Sequence, residues 1–149
     1  MSAAPSTPQP RDPTWDGLRV LIVEDDVDSR ELLRQLIEHE GGVATAAAHA
    51  FEALDRLRAS VPDVVLVDLR MPVLDGIELV TELRQDLRLA HVPMIAVTAY
   101  TTPADRQETA RAGFDAHVPK PVDFDALTAT VRRLLRERRP RGERRPPGP

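Results

Sequence analysis

The 149 residues contain no cysteine. Disulfides, thiol catalysis and cysteine metal sites are thereby excluded. Aromatic residues make up only 3% of the chain, with a single tryptophan, Trp15. No apolar run approaches the ~18 residues that a bilayer-spanning helix needs. The opening segment, MSAAPSTPQPRDP, has neither an apolar stretch nor a charged start, so it does not read as a signal peptide. A cytoplasmic protein is the resulting expectation. Lysine is almost missing too: Lys120 stands alone against 19 arginines. Where arginine supplies every other fixed positive side chain, a lone lysine suggests a need for a compact ammonium.

What is present is enough for a core, since 42% of residues are hydrophobic. Eight of the 14 prolines fall in residues 1–13 and 140–149, which lack apolar periodicity. Residues 1–16 and 138–149 therefore read as disordered tails around one domain at 17–137. The net charge of −4 is uneven: residues 132–149 carry eight arginines and two glutamates, leaving −10 on the rest. An acidic globule with a short basic tail is a poor nucleic-acid-binding domain.

Between the tails, short apolar runs alternate with amphipathic segments. Leu18–Val23, Val64–Asp68 and Pro93–Thr98 read as strands buried on both faces. Val43–Ala47 and Asp115–Val118 read as weaker strands. A first helix places Leu32, Leu33, Leu36 and Ile37 on one face, and Gly41-Gly42 stops it. Phe51, Leu54 and Leu57 mark a second helix, and Ile77, Val80, Leu83 and Leu87 a third. Thr102-Pro103 reads as the N-cap and first position of a fourth helix that ends at Gly113 and has almost no apolar face. Asp123 opens a fifth helix with Phe124, Leu127, Val131, Leu134 and Leu135 inward. Trp15 is expected to pack on the domain. Five βα units are too few for an eight-stranded barrel, so an open, doubly wound α/β parallel sheet is expected, with strand order 2-1-3-4-5. Ligands bind such sheets at the carboxyl ends of strands, where the order reverses.

The strong strands end in chemistry. The first runs into Glu24-Asp25-Asp26, the third into Asp68 and the fourth into Thr98, while Lys120 follows the fifth. One polar strand end usually serves only a loop or cap. Two acidic clusters flanking the switch point, with a hydroxyl and the single lysine, are a stronger pattern. Carboxylates from adjacent strands repel unless a cation lies between them. Oxygen-only donors without His or Cys suit Mg²⁺. A carboxylate beside such an ion can attack phosphorus, and a lysine and a hydroxyl can stabilise the transferring oxygens.

The segments LIVEDDVDSRELL, VVLVDLRMPVLDGIEL, MIAVTAY and AHVPKPVD resemble the receiver domain of two-component response regulators, a flavodoxin-like fold. The likeness spans residues 18–136. It implies a phosphoacceptor at Asp68, Mg²⁺ held by Glu24, Asp25, Asp68 and the carbonyl of Arg70, and catalytic support from Thr98 and Lys120. It also implies a cis bond at Lys120-Pro121. Two positions depart from the common pattern: Glu24 replaces the commoner aspartate, and His117 stands where an aromatic that turns inward is usual. The resemblance implies that Thr98 and His117 relay the signal. It further implies that Arg70 and Tyr100, flanking the route of attacking water, set the phosphoaspartate lifetime. The expected partners are a sensor histidine kinase or phosphotransfer protein and a downstream protein, with no nucleic-acid-binding domain and no membrane. About a dozen residues follow the fifth helix, so a stand-alone receiver, not a turnover enzyme, is expected. An aspartyl-nucleophile phosphohydrolase is the first rival, but it would want an acid where Arg70 stands. A receiver-fold binding module without phosphorylation is the second. A flavin-binding protein is the third, although the first strand–helix loop lacks a phosphate cradle.

Overall fold

The computed structural model describes residues 13–71 and 75–137. The chain alternates β1 (Arg19–Val23), α1 (Val27–His39), β2 (Val43–Ala47), α2 (Ala50–Ala59), β3 (Val64–Val67), α3 (Gly76–Leu83), β4 (Met94–Thr98), α4 (Pro103–Ala112), β5 (Ala116–Pro119) and α5 (Phe124–Glu137). The strands form one parallel sheet in the order β2-β1-β3-β4-β5. This is the expected doubly wound sheet.

The apolar strand runs are explained by burial on both faces. Along β1, Leu21 and Val23 point into a layer with α2 and α3, while Val20 and Ile22 point into a layer with α1 and α5. The same alternation divides Val65 and Val67 from Val64 and Leu66 in β3. Each fully buried aliphatic side chain contributes roughly 1.5–3 kcal/mol. The helix ends follow local chemistry. Asp26 caps α1 by accepting from Ser29 N at 2.8 Å. Asp75 with Glu78, and Thr102 with Asp105, form capping boxes on α3 and α4.

Several expectations change. Residues 13–16 are not a tail: Pro13–Trp15 form a 3₁₀ turn, and Trp15 is fully buried. Its ring stacks on Phe124 at 5.4 Å, and its Nε1 donates to Thr128 Oγ1 at 3.0 Å. An indole offers more apolar area than most side chains, and its one donor is satisfied here. The expected tails at 1–12 and 138–149, and Pro72 of the loop after β3, lie outside the described residues. The third helix stops at Leu83, and Leu87 is 84% exposed. Asp86 accepts from Arg88 N and starts a 3₁₀ turn at Leu87–Leu89, which turns Leu89 inward instead. Leu32 and Phe51 also face solvent. Leu33 and Ile37, one turn apart, take the inner face of α1, and Ala50, Ala53 and Leu57 take that of α2.

Arg84, at the end of α3, ties the far edge of the sheet together. Its guanidinium donates to the carbonyls of Gly113 (2.8 Å), Leu89 (3.0 Å) and Val92 (2.9 Å), and to Asp115 Oδ2 (2.7 Å). Gly113 closes α4 at φ 116°, a left-handed conformation that glycine adopts without a Cβ penalty.

Candidate functional site

Parallel strands bring their carboxyl ends to one edge, and the central strand β3 lies beside β1 there. Glu24 and Asp68 continue these strands by one residue: Glu24 N donates to Ala47 O at 3.0 Å, and Asp68 N to Val23 O at 2.9 Å. Both carboxyl side chains are buried, whereas Asp25 is exposed. Glu24, Asp25 and Asp68 each present an oxygen within 4.8 Å of the others.

Lys120 reaches this cluster from the end of β5. Its Nζ lies 2.6 Å from Glu24 Oε1 and 3.5 Å from Asp68 Oδ2. Its backbone N donates to Thr98 O at 2.9 Å, which ties the lysine to the end of β4. The Lys120-Pro121 bond is cis. Thr98 is fully buried, and its Oγ1 accepts from Tyr100 N at 3.1 Å. Arg70 N donates to Asp68 Oδ1 at 3.2 Å. The Arg70 guanidinium lies over the Tyr100 ring, 4.1 Å from its centre. The loops after β3 and β4 therefore meet beside the acidic cluster.

The electrostatics agree with the geometry. Burial, and then the neighbouring Asp68 carboxylate, push the Glu24 pKa up, against the pull of Lys120. Burial alone would lower Lys120, but Glu24 and Asp68 outweigh it and hold its pKa above the ordinary value. Three carboxylates face one ammonium, so within this quartet negative charge remains uncompensated. The donors are all oxygen. A hard divalent cation such as Mg²⁺ fits that set.

His117 is not part of this cluster. It sits opposite Ala96 in the β4–β5 register, on the sheet face that Thr98 shares, and its Nδ1 lies 3.4 Å from Thr109 Oγ1 of α4. Asp26 is likewise engaged elsewhere, in the α1 cap. His39 and His49 are exposed, and His49 caps α2 through Nδ1.

Two contributors escaped the sequence reading. Arg30 Nη1 donates to the carbonyls of Glu24 (2.9 Å) and Asp25 (3.4 Å), holding the acidic turn against α1. No sequence signal marks it among 19 arginines. Gly76 reads as a turn residue, yet a Cβ there would meet Asp68 O at 2.6 Å and Leu69 Cα at 2.9 Å. Its bare backbone lets α3 start directly against the Asp68 loop. The Asp75-Gly76 pair is the signal that points to the position.

The family model described as "Response regulator receiver domain" matches residues 20–132. The chain belongs to the response regulator receiver domain family. Such receivers are signalling proteins, not turnover enzymes. The polar-differentiation response regulator DivK of Brucella anthropi is 34% identical over 116 residues, covering 78% of this chain and 94% of DivK. Among solved structures, the chemotaxis protein CheY4 of Vibrio cholerae matches with a TM-score of 0.77 at 28% identity, covering 80% of this chain and 99% of CheY4. The receiver domain of sensor histidine kinase PA1611 from Pseudomonas aeruginosa PAO1 matches with a TM-score of 0.74 at 28% identity, covering 80% and 98%. That structure holds a magnesium ion coordinated in the active site cleft. Among the described residues, no helix is long and apolar enough to cross a membrane.

Proposed function

We propose that this receiver accepts a phosphoryl group on Asp68 from a phosphohistidine of a sensor histidine kinase or phosphotransfer protein, and that the modified domain binds a downstream protein or passes the group on. The observation that carries this reading is the placement of Lys120 between Glu24 and Asp68, 2.6 Å and 3.5 Å away, at the switch point of the sheet. In the transfer, a carboxylate oxygen of Asp68 forms the new bond to phosphorus. The P–N bond to the donor imidazole breaks, and its electron pair leaves with the imidazole.

Asp25 and Asp68, with Glu24 directly or through water and the carbonyl of Arg70, would hold Mg²⁺. When bound, that ion supplies positive charge that relieves the repulsion between the Asp68 carboxylate and an incoming phosphoryl group. Lys120 offers a second positive centre already in contact with Asp68. A compact ammonium can turn toward a phosphoryl oxygen without leaving the carboxylate. Thr98, buried at the end of β4, offers a hydroxyl for a third oxygen. Thr98 and His117 share one sheet face as diagonal neighbours, which supports a path from the acidic cluster to α4. The cell interior, where such kinases act, is the compartment this reading requires.

The test is intact mass after incubation with acetyl phosphate and millimolar Mg²⁺. Wild type is expected to gain one phosphoryl group, labile in alkali, and EDTA is expected to stop the gain. Asp68→Asn is expected to gain none. Undiminished labelling of Asp68→Asn would refute the acceptor, and equal rates in EDTA would refute the metal.

A further inference from the structure

The helix α4 is held to the sheet by very little. Its sequence, PADRQETARA, is polar, and its one buried residue is Thr109. That residue meets His117. In β5, Ala116 and Val118 belong to the α1/α5 layer, so His117 between them faces α4.

The hydrogen bonds define the protonation of this contact. Thr109 Oγ1 donates its one proton to Arg106 O at 2.9 Å. The 3.4 Å contact with His117 Nδ1 must then run from the ring to the hydroxyl. In the neutral ring the proton is on Nδ1. Nε2 carries a bare lone pair, is buried and has no hydrogen-bond partner. A buried polar atom left without a partner is costly.

The groups around the ring come from three elements. From α4, Arg106 opposes a second proton and Asp105 favours it. From the β4–α4 connection, the Tyr100 carbonyl also favours it, although it stands outside regular hydrogen-bond geometry. From β4, the opposing residue is uncharged Ala96. Burial and Arg106 prevail, so the ring titrates below its ordinary 6.5.

We infer that His117 is a proton-operated latch: the neutral ring seats α4 on β5, and the protonated ring releases it. A charged ring carries a second N–H at Nε2, and the seated pose gives that buried atom no hydrogen-bond partner. Release moves the N-terminal half of α4. The other end is pinned, because Arg84 Nε donates to Gly113 O at 2.8 Å. The sign follows from linkage. The seated pose has the lower pKa, so its advantage is complete above 6.5 and shrinks as pH falls from there through the depressed value. Acid therefore loosens the α4–β5 face, with or without phosphorylation of Asp68.

The experiment is an NMR titration of the full chain from about pH 8 to about pH 5. The His117 ring and the amides of Asp105, Arg106 and Thr109 are followed together. The expected result is a His117 midpoint below 6.5 that the three amides share. Asp105 itself titrates below its ordinary 3.8, outside the window. In His117→Phe, and in His117→Tyr as a second variant, the amide transitions are expected to vanish. Asp68→Asn is expected to titrate like wild type, which separates this result from any failure of the phosphorylation reading. A midpoint at or above 6.5, amides that ignore it, or amide transitions that persist in both variants would overturn the latch.

Discussion

Gly76→Ala sets two effects of opposite sign against each other. In most helices alanine is better than glycine by about 1 kcal/mol, and it also restricts the unfolded chain. Gly76 opens α3, so both gains would apply in part. The space is not there, however. The added Cβ would stand 2.6 Å from Asp68 O, 2.9 Å from Leu69 Cα and 3.0 Å from Val67 Cγ1. Two of these neighbours are backbone and cannot rotate away. Restoring ordinary contact requires the Asp68 carbonyl to retreat by about 0.8 Å. The bond from Gly76 N to Leu69 O, 3.0 Å, resists that retreat. Forcing one methyl into a packed site costs about 1–3 kcal/mol. The clash should therefore prevail, with a net loss of about 1–2 kcal/mol by urea unfolding. Catalysis should suffer more than stability. A displacement near 1 Å at a reacting group can cost about 10²-fold in rate. Acetyl phosphate labelling of Gly76→Ala, followed by intact mass at a temperature where the variant is folded, should be slower by roughly 10- to 100-fold. A variant that is more stable than wild type and labels at the wild-type rate would refute the close-approach argument.

Trp15→Ala should destabilise the domain by about 3–5 kcal/mol, read as a lower urea midpoint. Thr128 still donates to Phe124 O at 2.8 Å, so the loss is one of packing with little left unpaired; a loss under about 1 kcal/mol would mean that the segment before β1 is no part of the core. Lys120→Arg should slow labelling of Asp68 by up to roughly 10²-fold with the fold intact by circular dichroism, because the planar fork cannot take the place of an ammonium held 2.6 Å from Glu24. An unchanged rate would reduce Lys120 to bulk charge.

The sheet was legible because burial on both faces leaves a one-dimensional trace. Runs such as VVLV need no partner to be recognised, and alternation with amphipathic segments implies a parallel order. The residues of the site were legible for a related reason. In a parallel sheet every strand ends at the same edge, so Glu24, Asp68 and Thr98 could be placed together from their positions in the chain. Local chemistry also survived intact in the caps at Thr102 and Asp123. What the chain could not show in advance depends on distances between remote segments. Helical spacing alone does not say which of Leu32 and Leu33 faces inward, nor that Asp86 would turn Leu89 inward and leave Leu87 in water. The sequence puts Trp15 against the domain, but only the fold shows that Phe124 and Thr128, more than 100 residues away, form its pocket. The methyl that Gly76 lacks matters only because the Asp68 carbonyl is 2.6 Å from where it would be. The proton on His117 Nδ1 follows only from the bond that Thr109 has already given to Arg106. Sequence determined which residues end the strands, since that depends on local pattern. Tertiary structure alone decided how those residues are spaced, buried and protonated, since these depend on contacts between segments far apart in the chain.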